Sequence, residues 1–449
     1  MKILVIPGCD DTNRGDQALI WESVRVAKDA GILGDYYMVS TDEASLQSKQ
    51  EGIFSIPYIL PHPSTHFKKL NDNRQYTLKL RILWGMRALG DLCVAAPLKN
   101  KYFRKILKLF LSSDRKKSLS IFEEAEVAIV KGGGFLHSKP GLSEAYKIYF
   151  FLYHIDLALA MGIPVLIMPN SFGKFESKIT RKMIMRTLGK CSLVTSRENI
   201  SRRILADECN VNSITTMDLG AYLQKDDMFD ALTYLRSKKI PVGYKRCVVI
   251  TVRPYRFPGK NNPDVLYKRY IESLISLMKW LNDNDYYVVL AEHVYSDNYH
   301  ESDIKAIEDI KTILAEEKSI TFGIIADHSL NCRQMKAIYS CFDYMVGTRF
   351  HSVIFALFSN VPSIAITYGG NKGVGIMKDL GIKEYSIAID EISKDKLIET
   401  FKAMIKNRES YLDRFIENKQ VVMKQREELI ELIQQSIGKK SNEEFIINS

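Results

Sequence analysis

The sequence has few features of a secreted or membrane protein. Its seven cysteines are scattered singly among 449 residues, and no CxxC pair occurs. This spacing favours neither a zinc site nor a disulfide framework, and it is typical of a protein of the reducing cytoplasm. The N-terminal apolar run is short and continues into the polar segment DDTNRGD, which excludes a signal peptide. The longest apolar stretch, 148–168, is interrupted by polar, glycine and proline residues, so we predict no transmembrane helix.

Internal repeats and low-complexity runs are also absent. Hydrophobic residues make up 46% of the chain and charged residues 26%, which argues against large-scale disorder. The net charge of +10 is unevenly distributed, because the segment 68–117 alone has fourteen Lys or Arg residues and three acids. The excess of positive charge is therefore a local feature of this basic insertion and not a property of the whole chain.

Short apolar runs alternate with helical patterns along the whole chain. The runs KILVIPG, EVAIVKGGG, PVLIMPNS, SLVTSRE and SITTMDLG form a first series, and a second series begins at RCVVITVRP. Such alternation predicts parallel sheets covered by helices on both faces. We therefore predict an α/β fold of two Rossmann-like doubly wound domains, 1–241 and 242–449, facing each other across a cleft. We expect the final helical region, from Lys394 to about Gln435, to pack back across the first domain.

Polar or glycine-rich loops follow several of the first-series strands, where ligands of doubly wound sheets bind. In GCDDTNRGDQAL the helix is expected from about Gln17, with Asn13 in the loop. Asp16 is equally suited to contact a ligand and to cap that helix. In KGGGF, Gly133 and Gly134 permit either close approach of a ligand or a tight strand-to-helix turn.

Three further polar positions occur in the first series. Lys131 fits a solvated flank slightly better than a phosphate contact. Ser171 follows the strand PVLIM, and Glu198 follows the strand SLVT. A structural ion pair between Arg197 and Glu198 is the more common outcome for such neighbours.

Cationic side chains follow the strands of the second series. Arg253 ends one strand, and its guanidinium suits either a carboxylate or phosphate ligand or a salt bridge at the domain interface. VGTRFHSVIFAL places Arg349 and His351 at the start of an apolar helix, where a fixed charge and a titratable proton lie together. Lys372 adds a further cation in a flexible loop.

A metal site is not predicted. The residues that most resemble a set of metal ligands are Glu292, His293, Asp297 and His300, and their spacing matches no zinc pattern. We interpret that stretch as a loop that lines the cleft.

The order of these motifs resembles the polysaccharide pyruvyl transferase family. The matching pieces are GCDDTNRGDQAL, KGGGFL, NSFGKF, SRENIS, MDLGAYL, TVRP and GTRFHSVIFAL, followed by Pro362, Tyr368 and Lys372. They extend from Gly8 to about Gly381. The chain departs from the family at Asn170, where glutamine is typical, and at Lys174, where proline is typical.

The resemblance implies a GT-B-like architecture, with an acceptor side in the first domain and a phosphoenolpyruvate side in the second. It implies phosphoenolpyruvate as a co-substrate, with no cofactor, and a donor site of two arginines and a histidine. By motif position these are Arg253, Arg349 and His351. His351 would protonate the donor, and Asp16 or Glu198 would accept a proton from the acceptor hydroxyl.

The resemblance also implies a glycan acceptor, carried on a polyprenyl diphosphate at the inner face of the cytoplasmic membrane. In the segment 99–111 an apolar face opposes a cationic face, which suits an anionic membrane surface. A core-packed helix with solvated lysines fits the same pattern equally well, and no motif supports nucleic-acid binding. Two other functions remain open: a GT-B glycosyltransferase that uses a nucleotide sugar, and a non-catalytic glycan-binding protein.

Overall fold

The computed structural model describes residues 1–40, 45–62, 78–296, 301–315, 320–368 and 372–447, without the side chains of Lys372 and residues 439–447. The chain forms two compact units, each discontinuous in sequence. The first unit contains Met1–Asp11, Leu19–Leu219 and Gln425–Ser449, and the second contains Thr12–Ala18 and Gly220–Lys424. The division of the chain into domains 1–241 and 242–449 stays a prediction.

The first unit is built on a parallel sheet of short, apolar strands that are buried on both faces. Its strands are β1 (Lys2–Ile6), β2 (Asp35–Val39), β3 (Ile53–Ile56), β4 (Ala125–Val130), β5 (Gly133–Ser138), β6 (Val165–Phe175), β7 (Leu193–Ser196) and β8 (Ile214–Thr215). Their order is β3-β2-β1-β4-β6-β7-β8, and β5 pairs with β6 beyond the end of β4.

Helices pack around this sheet, and all of them except α2 and α4 bury apolar residues. They are α1 (Arg14–Asp29), α2 (Leu46–Gln50), α3 (Leu78–Ala95), α4 (Lys101–Leu107), α5 (Ser113–Glu123), α6 (Leu142–Ala160), α7 (Lys178–Leu188) and α8 (Asn199–Cys209). The first turn of α1 is counted with the second unit. The core includes Ile6, Val130 and Ile167 from the strands and Tyr153 from α6.

The second unit repeats the same plan. Its elements are α9 (Ala231–Ser237), β9 (Arg246–Thr251), α10 (Pro263–Asp283), β10 (Tyr286–Ala291), α11 (Ile304–Leu314), β11 (Phe322–Ile325), α12 (Cys332–Tyr339), β12 (Tyr344–Gly347), α13 (Phe350–Leu357), β13 (Ser363–Thr367), α14 (Lys372–Asp379), β14 (Ser386–Ala388), α15 (Lys394–Lys406) and α16 (Arg408–Ile447). The strand order β11-β10-β9-β12-β13-β14 and the parallel pairing define a Rossmann-like sheet.

The predicted strands of both series are present, with local differences. Helix α1 begins at Arg14 and not near Gln17. KGGGF enters strand β5, so of its two interpretations the strand-to-helix turn is wrong. NSFGKF continues strand β6, so Ser171 lies within a strand and not after it. The end of α16, from Gln425, belongs to the first unit, where Arg426 pairs with Asp29.

The described part of the basic insertion folds as α3, α4 and α5. Among the described residues no helix has the length and apolarity needed to cross a membrane. The core-packed alternative for 99–111 is wrong for most of its apolar residues. Phe103, Ile106 and Phe110 are exposed, whereas Leu107 packs partly against the core.

Candidate active site

The strand order of the second unit reverses between β9 and β12. The chain proceeds from β9 to β10 on one side, and from β12 to β13 on the other. Ligands of doubly wound sheets bind beyond the carboxyl ends of the strands at such a reversal. Arg253 follows the end of β9, and Arg349 and His351 follow the end of β12. The three predicted donor residues therefore flank one crevice.

Buried hydroxyl groups hold the two strand ends together. Tyr270 from α10 is fully buried; its Oη lies 2.8 Å from Thr348 Oγ1 and accepts the Arg253 backbone N–H at 3.3 Å. Thr251 Oγ1 and Ser352 Oγ lie 2.7 Å apart. A side chain at Gly347 would place Cβ 2.4 Å from Val353, so the turn into α13 requires glycine. Both arginines thus leave the sheet from a fixed backbone.

Arg349 is buried at the N-terminal end of α13. Its Nε donates to Asp303 Oδ1 at 2.7 Å, and its Nη2 donates to the Glu301 carbonyl at 2.5 Å. The other oxygen of Asp303 accepts backbone N–H groups from His293 and Val294 at 3.0 and 2.9 Å. Since Asp303 is fully buried and its oxygens are occupied, this ion pair fixes the orientation of the guanidinium.

Arg253 is half-buried, and its guanidinium lies 4.6 Å from the ring centroid of Tyr368. Its Nη2 is 3.2 and 3.4 Å from the two carboxylate oxygens of Glu301. Nη1 of Arg349 lies 3.9 Å from the same carboxylate. Two guanidinium groups therefore converge on one carboxylate, which is about half exposed to solvent. Guanidinium groups arranged in this way are suited to bind a carboxylate or a phosphate.

The imidazole of His351 lies against the first turn of α1. A Cβ atom at Gly15 would be 2.3 Å from His351 Nδ1, so the approach requires glycine. Asn13 caps α1: its Oδ1 accepts the N–H groups of Gly15 at 3.0 Å and Asp16 at 3.3 Å. Asp16 Oδ2 accepts from Asn13 Nδ2 at 2.9 Å. Asp16 thus takes part in the cap, and the positive end of α1 faces the imidazole.

Arg14 was not among the predicted site residues, yet it anchors the first motif. It is fully buried and donates to four carbonyl oxygens, those of Glu292, His293, Asp327 and Leu330, at 2.6–3.3 Å. An arginine among neutral carbonyls positions backbone and does not neutralise an acid. The sequence signal for this role is the position of Arg14 in the motif NRGD, directly before Gly15 and Asp16.

Glu292 and His293 form buried polar contacts. Burial raises the pKa of Glu292, whose carboxylate lies 3.0 Å from His328 Nε2. Burial also keeps the pKa of His293 well below its usual value. Within the described residues no group of three or more potential ligands surrounds a metal position. Asp297 and His300 lie outside the described residues, and the expectation of no metal stays a prediction.

In the first unit, Ser171 and Glu198 belong to a closed polar network. Arg197 is buried and donates to Asp218 at 2.5 Å and to Ser171 Oγ at 2.6 Å. Ser171 donates to Glu198 at 2.8 Å, and Ser201 donates to the other Glu198 oxygen. Arg197 and Glu198 are 3.8 Å apart, so Asp218 is the closer partner of the arginine. Burial raises the pKa of Glu198.

The triple-glycine motif lies beside this network. Gly133 is buried and pairs with Asn170 across β5 and β6, whereas Gly134 is exposed. Asn170 donates to the Lys131 carbonyl at 2.9 Å. Lys131 is buried, so the solvated-flank interpretation is wrong. Thus Gly133, Gly134, Ser171 and Glu198 lie in the first unit, and Asn13, Asp16, Arg253, Arg349 and His351 lie in the second. The side chain of Lys372, at the start of α14, is not described.

Comparison with known proteins agrees with the fold and the order of motifs. Residues 13–370 match the family described as polysaccharide pyruvyl transferase. The amylovoran biosynthesis protein AmsJ of Erwinia amylovora is 21% identical over 421 residues, covering 91% of this chain and 93% of AmsJ.

Two solved structures are similar in fold. A UDP-GlcNAc 2-epimerase from Neisseria meningitidis has a TM-score of 0.52 at 11% identity, covering 97% of this chain and 100% of its own. A glycosyltransferase from Rickettsia africae has a TM-score of 0.52 at 11% identity, covering 100% and 99%. These similarities confirm the predicted GT-B-like fold class with two Rossmann-like α/β units.

Proposed function

This chain belongs to the polysaccharide pyruvyl transferase family, and we propose that it transfers the pyruvyl group of phosphoenolpyruvate to two hydroxyls of one sugar, forming a ketal. The family implies a glycan acceptor. In our proposal that acceptor is carried on a polyprenyl diphosphate, and the protein acts in the cytoplasm at the inner face of the membrane. Phosphoenolpyruvate is consumed as a co-substrate in the proposed reaction, for which we propose no cofactor and no metal.

The observation that carries the proposal is the convergence of Arg253 and Arg349 on one carboxylate, with His351 two residues after Arg349 in the chain. Phosphoenolpyruvate has a carboxylate and a phosphate on the same carbon, and two guanidinium groups suit such an anion. The exposed carboxylate of Glu301 is the group that the donor would displace. Arg349 is held by Asp303, so Arg253 would adjust to the ligand. Lys372 is proposed as a further cation on the donor side.

The chemistry assigns a proton to His351. Protonation of the donor's methylene carbon creates a methyl group and an oxocarbenium centre at the neighbouring carbon. One sugar hydroxyl attacks that carbon, the bond to the phosphate oxygen breaks, and the second hydroxyl then closes the ketal ring. Of the two hydroxyl protons, one restores His351 and the other leaves with the phosphate. Inorganic phosphate is therefore released once per ketal.

We propose that Asp16 accepts the proton of the attacking hydroxyl, which then leaves with the phosphate, while the proton of the second hydroxyl restores His351. Asp16 lies in the second unit with His351, at the first turn of α1 beside Gly15. Glu198 is less suited, because its carboxylate is buried and accepts from Ser171 and Ser201. Burial also raises the pKa of Glu198. Asn13, Gly133, Gly134 and Ser171 are proposed as acceptor-side or loop positions.

A panel of ligands tests the donor before any acceptor is known. Phosphoenolpyruvate alone should raise the melting temperature, because ligand binding to the folded state stabilises it. Stabilisation by a nucleoside diphosphate, without an effect of phosphoenolpyruvate, would favour a nucleotide-sugar glycosyltransferase. No response to either ligand would favour a non-catalytic glycan-binding protein.

Mass spectrometry tests the reaction itself. A lipid-linked glycan incubated with the protein and phosphoenolpyruvate should gain one pyruvate ketal, with one phosphate released. The His351→Ala variant provides the matched control, since it keeps both arginines. Phosphate release without a modified glycan would contradict ketal formation.

A further inference from the structure

Helix α3 presents an apolar stripe to solvent. Leu78, Ile82, Met86 and Leu89 are 54–75% exposed. At about 100° per residue, they lie within about 80° of one another around the helix axis. A surface helix of a globular protein normally directs such a stripe towards the core. Here no other residue that the structure describes covers the stripe.

The opposite side of α3 is fixed to the protein. Leu80, Ala88 and Ala95 are buried there. Asp91 lies on the same side and accepts from Arg87 at 3.0 Å and from Arg115 of α5 at 2.7 Å. Helix α3 is therefore apolar on both sides. Because one side packs against the protein, the stripe on the other side faces solvent.

The next segment shows the same property. Tyr102, Phe103, Ile106, Leu109 and Phe110 are 56–80% exposed, and no residue of α4 is buried. Among the described residues, 26 large hydrophobic side chains are exposed, and nine of these lie between residues 78 and 110. A concentration this local is typical of an interaction surface.

The charge of this segment indicates which kind of partner its exposed surface fits. The segment 78–117 has eleven Lys or Arg residues and two acids, a net charge of +9. Lys79, Arg81, Lys101 and Lys105 are exposed and form no ion pair with any residue that the structure describes. A second copy would bring two strongly basic surfaces together. Nucleic acid would leave the aliphatic stripe of α3 without an apolar partner. An anionic lipid interface offers both acyl chains and negative headgroups.

We propose that the outward faces of α3 and of residues 101–110 form a docking surface for an anionic lipid bilayer. The α3 stripe enters the region between headgroups and acyl chains, and the exposed lysines and arginine contact the headgroups. This proposal depends only on the first unit and not on the donor chemistry, so each can fail without the other.

Co-sedimentation of the full chain with vesicles tests the surface. Vesicles of phosphatidylcholine with phosphatidylglycerol should bind the protein at low salt, and vesicles of phosphatidylcholine alone should bind at least ten-fold more weakly. The stripe variant Ile82→Gln/Met86→Gln/Leu89→Gln and the charge variant Lys79→Gln/Arg81→Gln/Lys101→Gln/Lys105→Gln should each lose at least ten-fold in affinity. High salt should weaken the wild type and have less effect on the charge variant.

A matched control is available on another helix of the same unit. Ile179→Gln/Met185→Gln removes two exposed apolar side chains from α7 and should leave vesicle binding unchanged. Stabilisation by phosphoenolpyruvate should be the same in all three variants. No wild-type binding at low salt would overturn the proposal. A wild-type dimer lost in the stripe variant would assign the surface to a second copy, and RNA that competes with vesicles would assign it to nucleic acid.

Discussion

Both units are built on Rossmann-like parallel sheets, but the arginine networks that follow their strands differ in exposure to solvent. In the first unit Arg197 is fully buried, and its partners Asp218 and Ser171 belong to a closed network. In the second unit Arg253 pairs with Glu301, whose carboxylate is about half exposed. The buried network around Arg197 stabilises the fold only while all its members are present. The half-exposed carboxylate that pairs with Arg253 can be replaced by an anion from solution.

The difference indicates that the two units use arginine in two ways. A buried pair has exchanged its hydration for a fixed partner, so removal of one member leaves an uncompensated charge. A pair at the surface contributes little, so an incoming anion can replace the carboxylate at low cost. Arg349 combines both, since Asp303 holds one side of its guanidinium and Nη1 points towards Glu301. The second unit therefore has the arrangement of arginines on which the proposed donor site is based.

The largest expected effect is on catalysis in the second unit. His351→Gln keeps a polar side chain but cannot supply a proton, so turnover should fall about 10²–10⁴-fold. Donor affinity should change little, because both arginines remain. Ketal formation and donor-induced thermal stabilisation should be measured on the same preparation. Near-native turnover of the glutamine variant would mean that another group is the acid.

Substitutions at two glycines test whether turnover depends on the position of the His351 imidazole. Gly15→Ala places Cβ within 2.3 Å of His351 Nδ1 and should displace the ring, lowering turnover. Gly85→Ala, in α3, has no atom within 4 Å of the new Cβ and serves as the control. Equal turnover in the two variants would contradict the proposed role of Gly15.

The second effect should be on stability in the first unit. Asp218→Ala leaves the buried Arg197 without its closest carboxylate, which should lower the free energy of unfolding by about 3–5 kcal/mol. Urea denaturation provides the measurement. Glu301→Ala is the comparison in the second unit, and its cost should be below about 1 kcal/mol because that carboxylate is half exposed. Equal losses would remove the distinction between the two units.

The third effect is on donor binding. Arg253→Ala removes a charge-assisted contact of about 1.5–3 kcal/mol, so donor affinity should fall about ten-fold or more. Calorimetric titration with phosphoenolpyruvate measures the change, and the melting temperature without ligand should stay close to that of the wild type. Arg236→Ala, on α9 of the same unit, controls for loss of a positive charge. Unchanged donor affinity in the Arg253 variant would exclude it from the site.

The sequence was sufficient to predict the fold because continuous apolar strands and amphipathic helices alternate clearly. It missed β2 and β3, two short strands at one end of the first sheet, and β5, where three glycines suggested a turn. It placed Arg253, Arg349 and His351 together because parallel strands end at the same edge. Their assignment to the donor nevertheless stays a prediction.

The partners of these residues were not predictable from sequence. Glu301 and Asp303 lie about fifty residues from Arg349, and no local motif marks them. The role of Gly15 depends on contact with a side chain more than 300 residues away. The α3 stripe was overlooked because a helix with two apolar sides lacks the single-face pattern that identifies a surface helix.

The smallest expected effect concerns the carboxylate between the two arginines. Glu301→Gln keeps the shape of the side chain but removes the charge that competes with the donor. An exposed ion pair is worth about 0.2–1 kcal/mol, so phosphoenolpyruvate should bind about 1.5- to 5-fold more tightly. The gain should shrink at high salt, because screening weakens the competing pair. Glu308→Gln, which removes an exposed carboxylate paired with Lys305 on α11, should leave donor affinity unchanged. Weaker donor binding in the Glu301 variant would mean that Glu301 helps to hold the ligand, and the interpretation of its carboxylate as the anion's substitute would be wrong.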